Sequence, residues 1–372
     1  LNIYYGTEYT DKSRFIFENI SGRTLLLVPD QFSLQAERDA FYYLDAESLM
    51  DIRIVDFSTL GHKVVAQVGG RQLPLIDKYG RHMLLTKIMN EVSEELEIYR
   101  HMGWKNSFID LINTMISEMK RFGATPEDIG AAAEKIDGDG FLRYKLSDIQ
   151  KIFTRYEEAI EGKYLDSEDY ITFYGDKILD APMIAEADIW IYGFDTFTPK
   201  NMQVIERLLM AARSVNVILT YDSGEYFSLT RYIMDSFMEM AAQRGIESHV
   251  KAIDGTPRVT AAGTAMQMAS DPGSRADGEF PLTMAELSNP YEEAERAAAY
   301  ILSLVRDHGY RYGDIVVVCN DLDVRGAMLR RTLTRWGIPV FTDKKRKVTH
   351  HSAVSFLLSL MELVAGGYSN EA

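Results

Sequence analysis

A single cysteine, Cys319, stands in a chain of 372 residues. That scarcity excludes an internal disulfide framework and any cluster needing several thiolates within this chain. No run of about 18 apolar residues is available to span a bilayer. The N-terminus also lacks a basic segment leading into an apolar stretch and a cleavage site. These absences predict a cytoplasmic protein with no membrane partner. Positive charge is in deficit too, with 40 Lys and Arg against 55 Asp and Glu and a formal charge of −15. A uniformly basic nucleic-acid binder is thereby excluded. A local groove is not, because affinity for phosphates follows the field at the contact surface and not the total.

What is present is an ordinary globular balance, 46% apolar and 26% charged, in a chain long enough for two or three domains. Strand-like apolar runs occur at Ile3–Tyr5, Leu25–Val28, Ile52–Val55, Ile189–Tyr192, Val215–Thr220 and Ile315–Cys319. Most are too continuously apolar for a half-exposed sheet and suit a parallel sheet covered on both faces. About 130 residues of helical pattern separate Val55 from Ile189. Phe108, Leu111, Ile112, Met115 and Met119 make one stripe there, and Leu146, Ile149, Phe153, Tyr156 and Ile160 another, which reads as an inserted helical subdomain. Thr198-Pro199 then predicts the N-cap and first turn of a helix through Met202, Ile205, Leu208, Leu209 and Ala212.

Residues 261–278 are small, polar and turn-rich, which predicts a linker or mobile loop. Beyond them, a helix bearing Ala294, Ala297, Ala298, Ile301, Leu302 and Val305, the run Ile315–Cys319, and a helix ending at Trp336-Gly337 predict a new α/β unit. The chain starts at Leu1 without an initiator Met and stops soon after that unit begins, so a fragment is expected.

The motif with most chemical content is Gly6-Thr7-Glu8-Tyr9-Thr10-Asp11-Lys12-Ser13. It follows a predicted strand and opens a predicted helix, as a phosphate-binding loop does, with Lys12 placed for the β/γ oxygens and Ser13 for Mg²⁺. Asp11, however, stands where the second glycine belongs, and a carboxylate there opposes phosphate. The loop reads as a relic or as a weak nucleotide site, with ATP and Mg²⁺ as doubtful cofactors. Hydrolysis would also need a carboxylate closing another strand. Tyr192 occupies that place, and Asp195, three residues on, lies about 10 Å further along extended chain.

Pro29-Asp30-Gln31-Phe32-Ser33 follows the second strand, at the carboxyl edge where open α/β sheets bind ligands. Gln31 and Ser33 can bond a base or phosphate and Phe32 can stack. Equally, Gln31 and Ser33 can cap a helix with Phe32 in the core, which the residues alone favour. Lys344-Lys345-Arg346-Lys347 is the densest basic run, within residues 306–350 that carry ten Lys and Arg against five Asp and Glu. It is a solvated loop or a phosphate-tracking patch. His350-His351 is no metal pair, since adjacent residues do not face one site.

Leu27-Val28-Pro29-Asp30-Gln31-Phe32-Ser33, Phe57-Ser58-Thr59-Leu60, Tyr192 through Pro199, Asn289 through Glu295, Gly309 through Ile315, Gly337 through Phe341, and Asp343 through Arg346 occur in this order. Together they resemble the N-terminal part of the AddB family, the second subunit of the bacterial AddAB ATP-dependent helicase/nuclease. The resemblance implies an α/β fold of RecA-like, P-loop NTPase type as in superfamily 1 helicases. Residues 1–75 and 181–280 would form the first RecA-like domain, 76–180 a helical insertion, and 281–372 the truncated start of a second RecA-like domain.

The family's nuclease domain, with an iron–sulfur cluster, lies in a C-terminal part that this chain does not include. The resemblance further implies a motor-inactive half that holds single-stranded and duplex-end DNA beside an AddA-like partner in a heterodimer. Asp11, Tyr192 and Gly326-Ala327 depart from what a working motor needs. In the family's DNA-scanning positions, Gln31 and Ser33 are retained or conservatively altered, whereas Thr59 and His62 replace the usual Arg and Trp, which puts recognition of the same regulatory Chi sequence in doubt. Two alternatives stay open: an active DNA-stimulated translocase, and an interaction scaffold for the partner.

Overall fold

The computed structural model describes residues 1–7, 10–70, 73–103, 105–136, 140–222, 227–253, 283–342 and 348–365. They form two units, Leu1–Phe280 and Pro281–Ala372. The predicted linker at 261–278 and the basic run Lys344–Lys347 lie outside the described residues.

The first unit is built on β1 (Asn2–Gly6), β2 (Thr24–Leu27), β3 (Ile52–Val55), β4 (Asp188–Ile191), β5 (Ser214–Thr220) and β6 (His249–Ala252). All pair in parallel in the order β3-β2-β4-β5-β1-β6. This six-stranded α/β architecture is compatible with a RecA-like fold. Because strand side chains alternate between faces, continuous apolar runs supply two cores at once. Leu25, Leu27, Ile189, Ile191, Val215 and Val217 enter one core, and Leu26, Val28, Trp190 and Ile218 the other. The second face is covered by α1 (Lys12–Asn19) and α2 (Ser33–Tyr43) through Ile16, Phe17, Ala36 and Ala40. The short α3 (Ala46–Asp51) leads into β3, and α4 (Phe57–Val68) leaves it.

The edge strand β6 was not legible. Its residues are all exposed and among the described residues it pairs only with β1, so no apolar alternation marks it.

The insertion comprises α5 (Lys78–Glu91), α6 (Asn106–Arg121), α7 (Pro126–Glu134) and α8 (Phe141–Ile160). Its core joins Leu85, Ile88, Met89, Phe108, Ile112, Ile152, Phe153 and Tyr156. The stripe expected on α6 is rotated: Ile109 and Ile116 are buried, while Leu111 is 60% exposed. The isoleucines lie on the side that meets α5 and α8, and the 3.6-residue period alone does not choose between overlapping stripes. Asp148 of α8 is fully buried, and its carboxylate accepts the N–H groups of Glu97, Ile98 and Tyr99 at 2.8–3.1 Å.

The chain returns through α9 (Ser167–Gly175), α10 (Pro182–Ala185), α11 (Pro199–Ala211) and α12 (Ser228–Gln243). Thr198 is the N-cap of α11, accepting the Asn201 N–H at 3.2 Å, with Pro199 in the first turn.

The second unit contains α13 (Pro290–His308), α14 (Gly326–Arg335) and α15 (Ser352–Ala365). Ala298, Ile301, Leu333 and Ile338 form its small core. The strand expected at Ile315–Cys319 is absent among the described residues. Val316 and Val318 are 81% and 87% exposed. Parallel strands need a neighbour to pair with, and no described segment pairs with this one. Among the described residues no helix is long and apolar enough to cross a membrane.

Candidate nucleic-acid interface

The carboxyl ends of the strands carry the residues singled out in the sequence, in two groups. Gly6 ends β1, and Lys12 and Ser13 open α1 after it. Gln31, Phe32 and Ser33 follow β2, and Thr59 and His62 lie on α4 after β3. Because β5 and β4 lie between β1 and β2, the groups are separated by roughly 14 Å across the sheet.

The described residues of the β1 loop, Thr7 and Thr10 to Lys12, bond to one another. The Lys12 side chain is buried, and its ammonium donates to the Thr7 carbonyl at 2.6 Å. The Thr10 N–H donates to the Thr7 carbonyl at 3.2 Å, and the Lys12 N–H to the Thr10 carbonyl at 2.9 Å. A Cβ on Gly6 would lie 2.6 Å from Thr10 Cβ, so the Thr10 side chain fills the space against β1. Asp11 is the N-cap of α1. Its Oδ1 accepts the Arg14 N–H at 3.0 Å and its Oδ2 the Tyr43 hydroxyl at 3.2 Å.

Asp11 thus has a local role, since its side chain caps the helix. Lys12 and Ser13 are the groups that would meet phosphates and Mg²⁺. With the N–H groups of Thr10, Lys12 and Arg14 bonded within the segment and the Asp11 carboxylate at its exit, the arrangement does not fit a hydrolysable Mg–nucleotide. Nor does an acid close β4: Tyr192 follows it, and Asp195 is an exposed turn residue.

The β2–β3 end is different. Asp30–Phe32 form a single 3₁₀ turn, and Ser33 opens α2 with its hydroxyl 3.5 Å from the Pro29 carbonyl. Gln31 is exposed and Phe32 half-buried, and neither Gln31 nor Ser33 caps a helix, since the 3₁₀ turn and α2 both start without a side-chain cap. The Phe32 ring stands edge-on to Tyr192 at 5.3 Å. Phe57 lies 5.5 Å from Phe194, which lies 5.2 Å from Phe197. Gly193 permits this approach: its φ is +84°, and a Cβ there would meet Pro29 Cδ at 3.3 Å.

The result is two half-buried aromatic groups at the carboxyl edge, Phe32 with Tyr192 against one core and Phe57, Phe194 and Phe197 against the other, which together make an aromatic rim. Phe57, Phe194 and Phe197 were missed as site residues because an aromatic beside a strand reads as core. The usable signal was their place in the segments that follow β3 and β4.

A groove of about 460 Å³ runs below the rim, between Val28, Pro29, Asp30, Asp56, Phe57, Ser58 and Phe194. Its ionisable lining residues are both acidic. Asp56 is the N-cap of α4, accepting the Thr59 N–H at 2.6 Å. Thr59 is therefore held at the groove by its backbone. One turn along α4, His62 Nδ1 lies 3.1 Å from the Tyr170 hydroxyl. Stacked bases suit such a lining and phosphates do not.

The family model described as "ADDB, N-terminal" matches residues 3–266. A protein of Alkaliphilus metalliredigens, named as an ATP-dependent helicase/deoxyribonuclease subunit, is 30% identical over 367 residues, covering 95% of this chain and 32% of that protein. Proteins of the same name from Alkaliphilus oremlandii (30% over 388 residues; 99% of this chain, 34% of that one) and Bacillus cereus (29% over 371 residues; 94% and 32%) match similarly. The chain spans about a third of the length of the curated relatives it matches. On this match, which includes β1, the aromatic rim and the helical insertion, the chain belongs to the AddB family, in its N-terminal region.

Proposed function

We propose that this chain is a helicase-like, motor-inactive part of an ATP-dependent helicase/exonuclease subunit of the superfamily 1 type. It binds and guides single-stranded DNA during double-strand break end processing and recombinational repair. The aromatic rim at the carboxyl edge carries the reading: five half-buried rings follow adjacent strands of one sheet, where successive bases can stack without sequence selection. The Lys12 ammonium held by the Thr7 carbonyl and the Asp11 carboxylate at the head of α1 support a role without turnover. The relatives' name, that of an ATP-dependent helicase/deoxyribonuclease subunit, supports the process. An AddA-like helicase–nuclease partner and phosphate contacts from Lys344–Lys347 belong to the same proposal. A second reading, a docking face for a basic partner surface, draws on Asp30 and Asp56 in the groove.

The test uses the full-length protein. Fluorescence anisotropy with a labelled oligothymidine is expected to report binding, and phosphate release with MgATP to stay at background with or without DNA. DNA-stimulated release abolished by Lys12→Ala would overturn the motor-inactive reading. Absence of single-strand binding would overturn the guiding role and leave the docking face.

A further inference from the structure

The outward face of α2 reverses the usual order of a surface helix. Such a helix turns its bulky apolar residues to the core and its polar ones to solvent. Here the core side carries the small Ala36 and Ala40, both buried, and Tyr43, whose ring stacks on Phe17 at 5.9 Å. The solvent side carries Leu34, Phe41 and Tyr42, the two rings 74% and 79% exposed. At 3.6 residues per turn, Leu34 and Phe41 lie within about 20° of one another around the helix axis and Tyr42 about 80° from Leu34, with Arg38 between them. They make one stripe, opposite Ala36 and Ala40. The following helix, α3, adds the exposed Met50. Single exposed apolar side chains are ordinary, but large ones aligned on one helix mark a surface that a partner covers.

The charge around the stripe indicates which partner. Residues 34–51 hold five acidic side chains, Glu37, Asp39, Asp45, Glu47 and Asp51, against the single base Arg38. Asp39 accepts from Gln35 Nε2 at 2.7 Å, and Asp45 caps α3 by accepting the Ser48 N–H at 2.8 Å. Glu37, Glu47 and Asp51 are exposed. Such a rim repels DNA phosphates and anionic lipid headgroups, and it repels a second copy of the same face. A protein surface with an apolar centre and Lys and Arg around it is complementary on both counts. The stripe shares no residue with the acidic groove of Asp30 and Asp56.

We propose that the outward face of α2, centred on Phe41, docks the companion helicase–nuclease subunit through an apolar patch of that subunit ringed by Lys and Arg. The inference rests on the partner reading above and names the surface that serves it. Phe41 and Tyr42 are the anchors, because aromatic side chains at the centre of an interface carry most of its affinity. The acidic rim orients the approach.

The experiment measures assembly of the full-length protein with the full-length companion subunit by biolayer interferometry. Phe41→Ala is expected to weaken assembly about tenfold or more, chiefly through faster dissociation. Glu37→Lys is expected to slow association several-fold and to leave dissociation nearly unchanged. Both positions are exposed, so the melting midpoint and oligothymidine binding of each variant alone should match the unaltered protein. With p-benzoylphenylalanine in place of Phe41, irradiation of the assembled pair is expected to crosslink into the companion subunit beside Lys or Arg. A crosslink confined to the same chain or to a second copy overturns the proposal. So does unchanged affinity in the double variant Phe41→Ala with Tyr42→Ala. Failure of the unaltered pair to assemble overturns the partner reading as well, while strand guiding is judged separately by oligothymidine binding.

Discussion

Replacing Lys120 by methionine probes how the helical insertion is held to the rest of the first unit. The Lys120 ammonium on α6 is 5% exposed and meets Glu157 of α8 at 2.8 Å and both Asp166 and Asp169, at the start of α9, at 2.7 Å. Burial alone would lower its pKa, but the charge and hydrogen bonds of Asp166 outweigh that, followed by Asp169, and hold it above the usual lysine range. Burial likewise pushes Asp166 up, and Lys120 outweighs it and holds that carboxyl below its ordinary value. Removing one partner of such a buried pair costs about 3–5 kcal/mol. Asp166 would still accept the N–H groups of Glu168 and Asp169 at 3.0 and 2.9 Å and the Tyr156 hydroxyl at 3.3 Å. The lower end of the range is therefore expected, about 3 kcal/mol, or roughly 6–9 °C in the melting midpoint.

The sign with pH follows from the Asp166 shift. A depressed carboxyl contributes stability that is full above about pH 4 and is lost as pH falls through its folded value. Without Lys120 the buried carboxyl moves up, so the variant loses stability as pH rises. The gap between the two proteins is expected to be wide at pH 7 and to narrow towards pH 4. Differential scanning fluorimetry at both values measures it, and Lys120→Met with Asp166→Asn is expected to recover half or more of the loss. An unchanged midpoint in the single variant, or no recovery in the double, would refute the view that an uncompensated Asp166 charge dominates.

Phe57→Ala removes one ring of the rim and is expected to weaken oligothymidine binding about tenfold. The slope of log affinity against log salt should stay the same, because no phosphate contact is lost. A salt titration of the variant checks both. Gly61 of α4 packs against the Tyr174 ring, where an added Cβ would lie 2.4 Å from Cδ1. Gly61→Ala is expected to cost about 1–3 kcal/mol by overpacking, read as a lowered denaturant midpoint with unchanged slope.

Much of the first unit was legible because its strands are buried on both faces. Five of the six strands announce themselves as apolar runs, and the exception, β6, is an exposed edge with nothing to bury. Thr198-Pro199 was equally plain, since a cap and a first-turn proline act within a few residues of themselves. The α6 stripe misled at Leu111, where two overlapping faces satisfy one period and only the partner helices choose. Ile315–Cys319 misled for a related reason: apolar content favours a strand, but a ladder also needs a second segment beside it. Of the site, the junction of β1 and α1 from Gly6 to Ser13 was visible because its spacing is local. The aromatic rim was not, since Phe32, Phe57 and Phe194 follow three different strands.

The sequence by itself determined the parallel α/β character of the first unit and the helical insertion. Each depends on periodicity or on neighbours within one turn. Only the tertiary structure decided that Lys12 is turned back on Thr7, that Phe32 meets Tyr192, and that Phe57, Phe194 and Phe197 meet one another. Those facts depend on groups from distant segments brought within a few ångströms, and the free energy that brings them there comes from packing whole faces together, which no local pattern encodes.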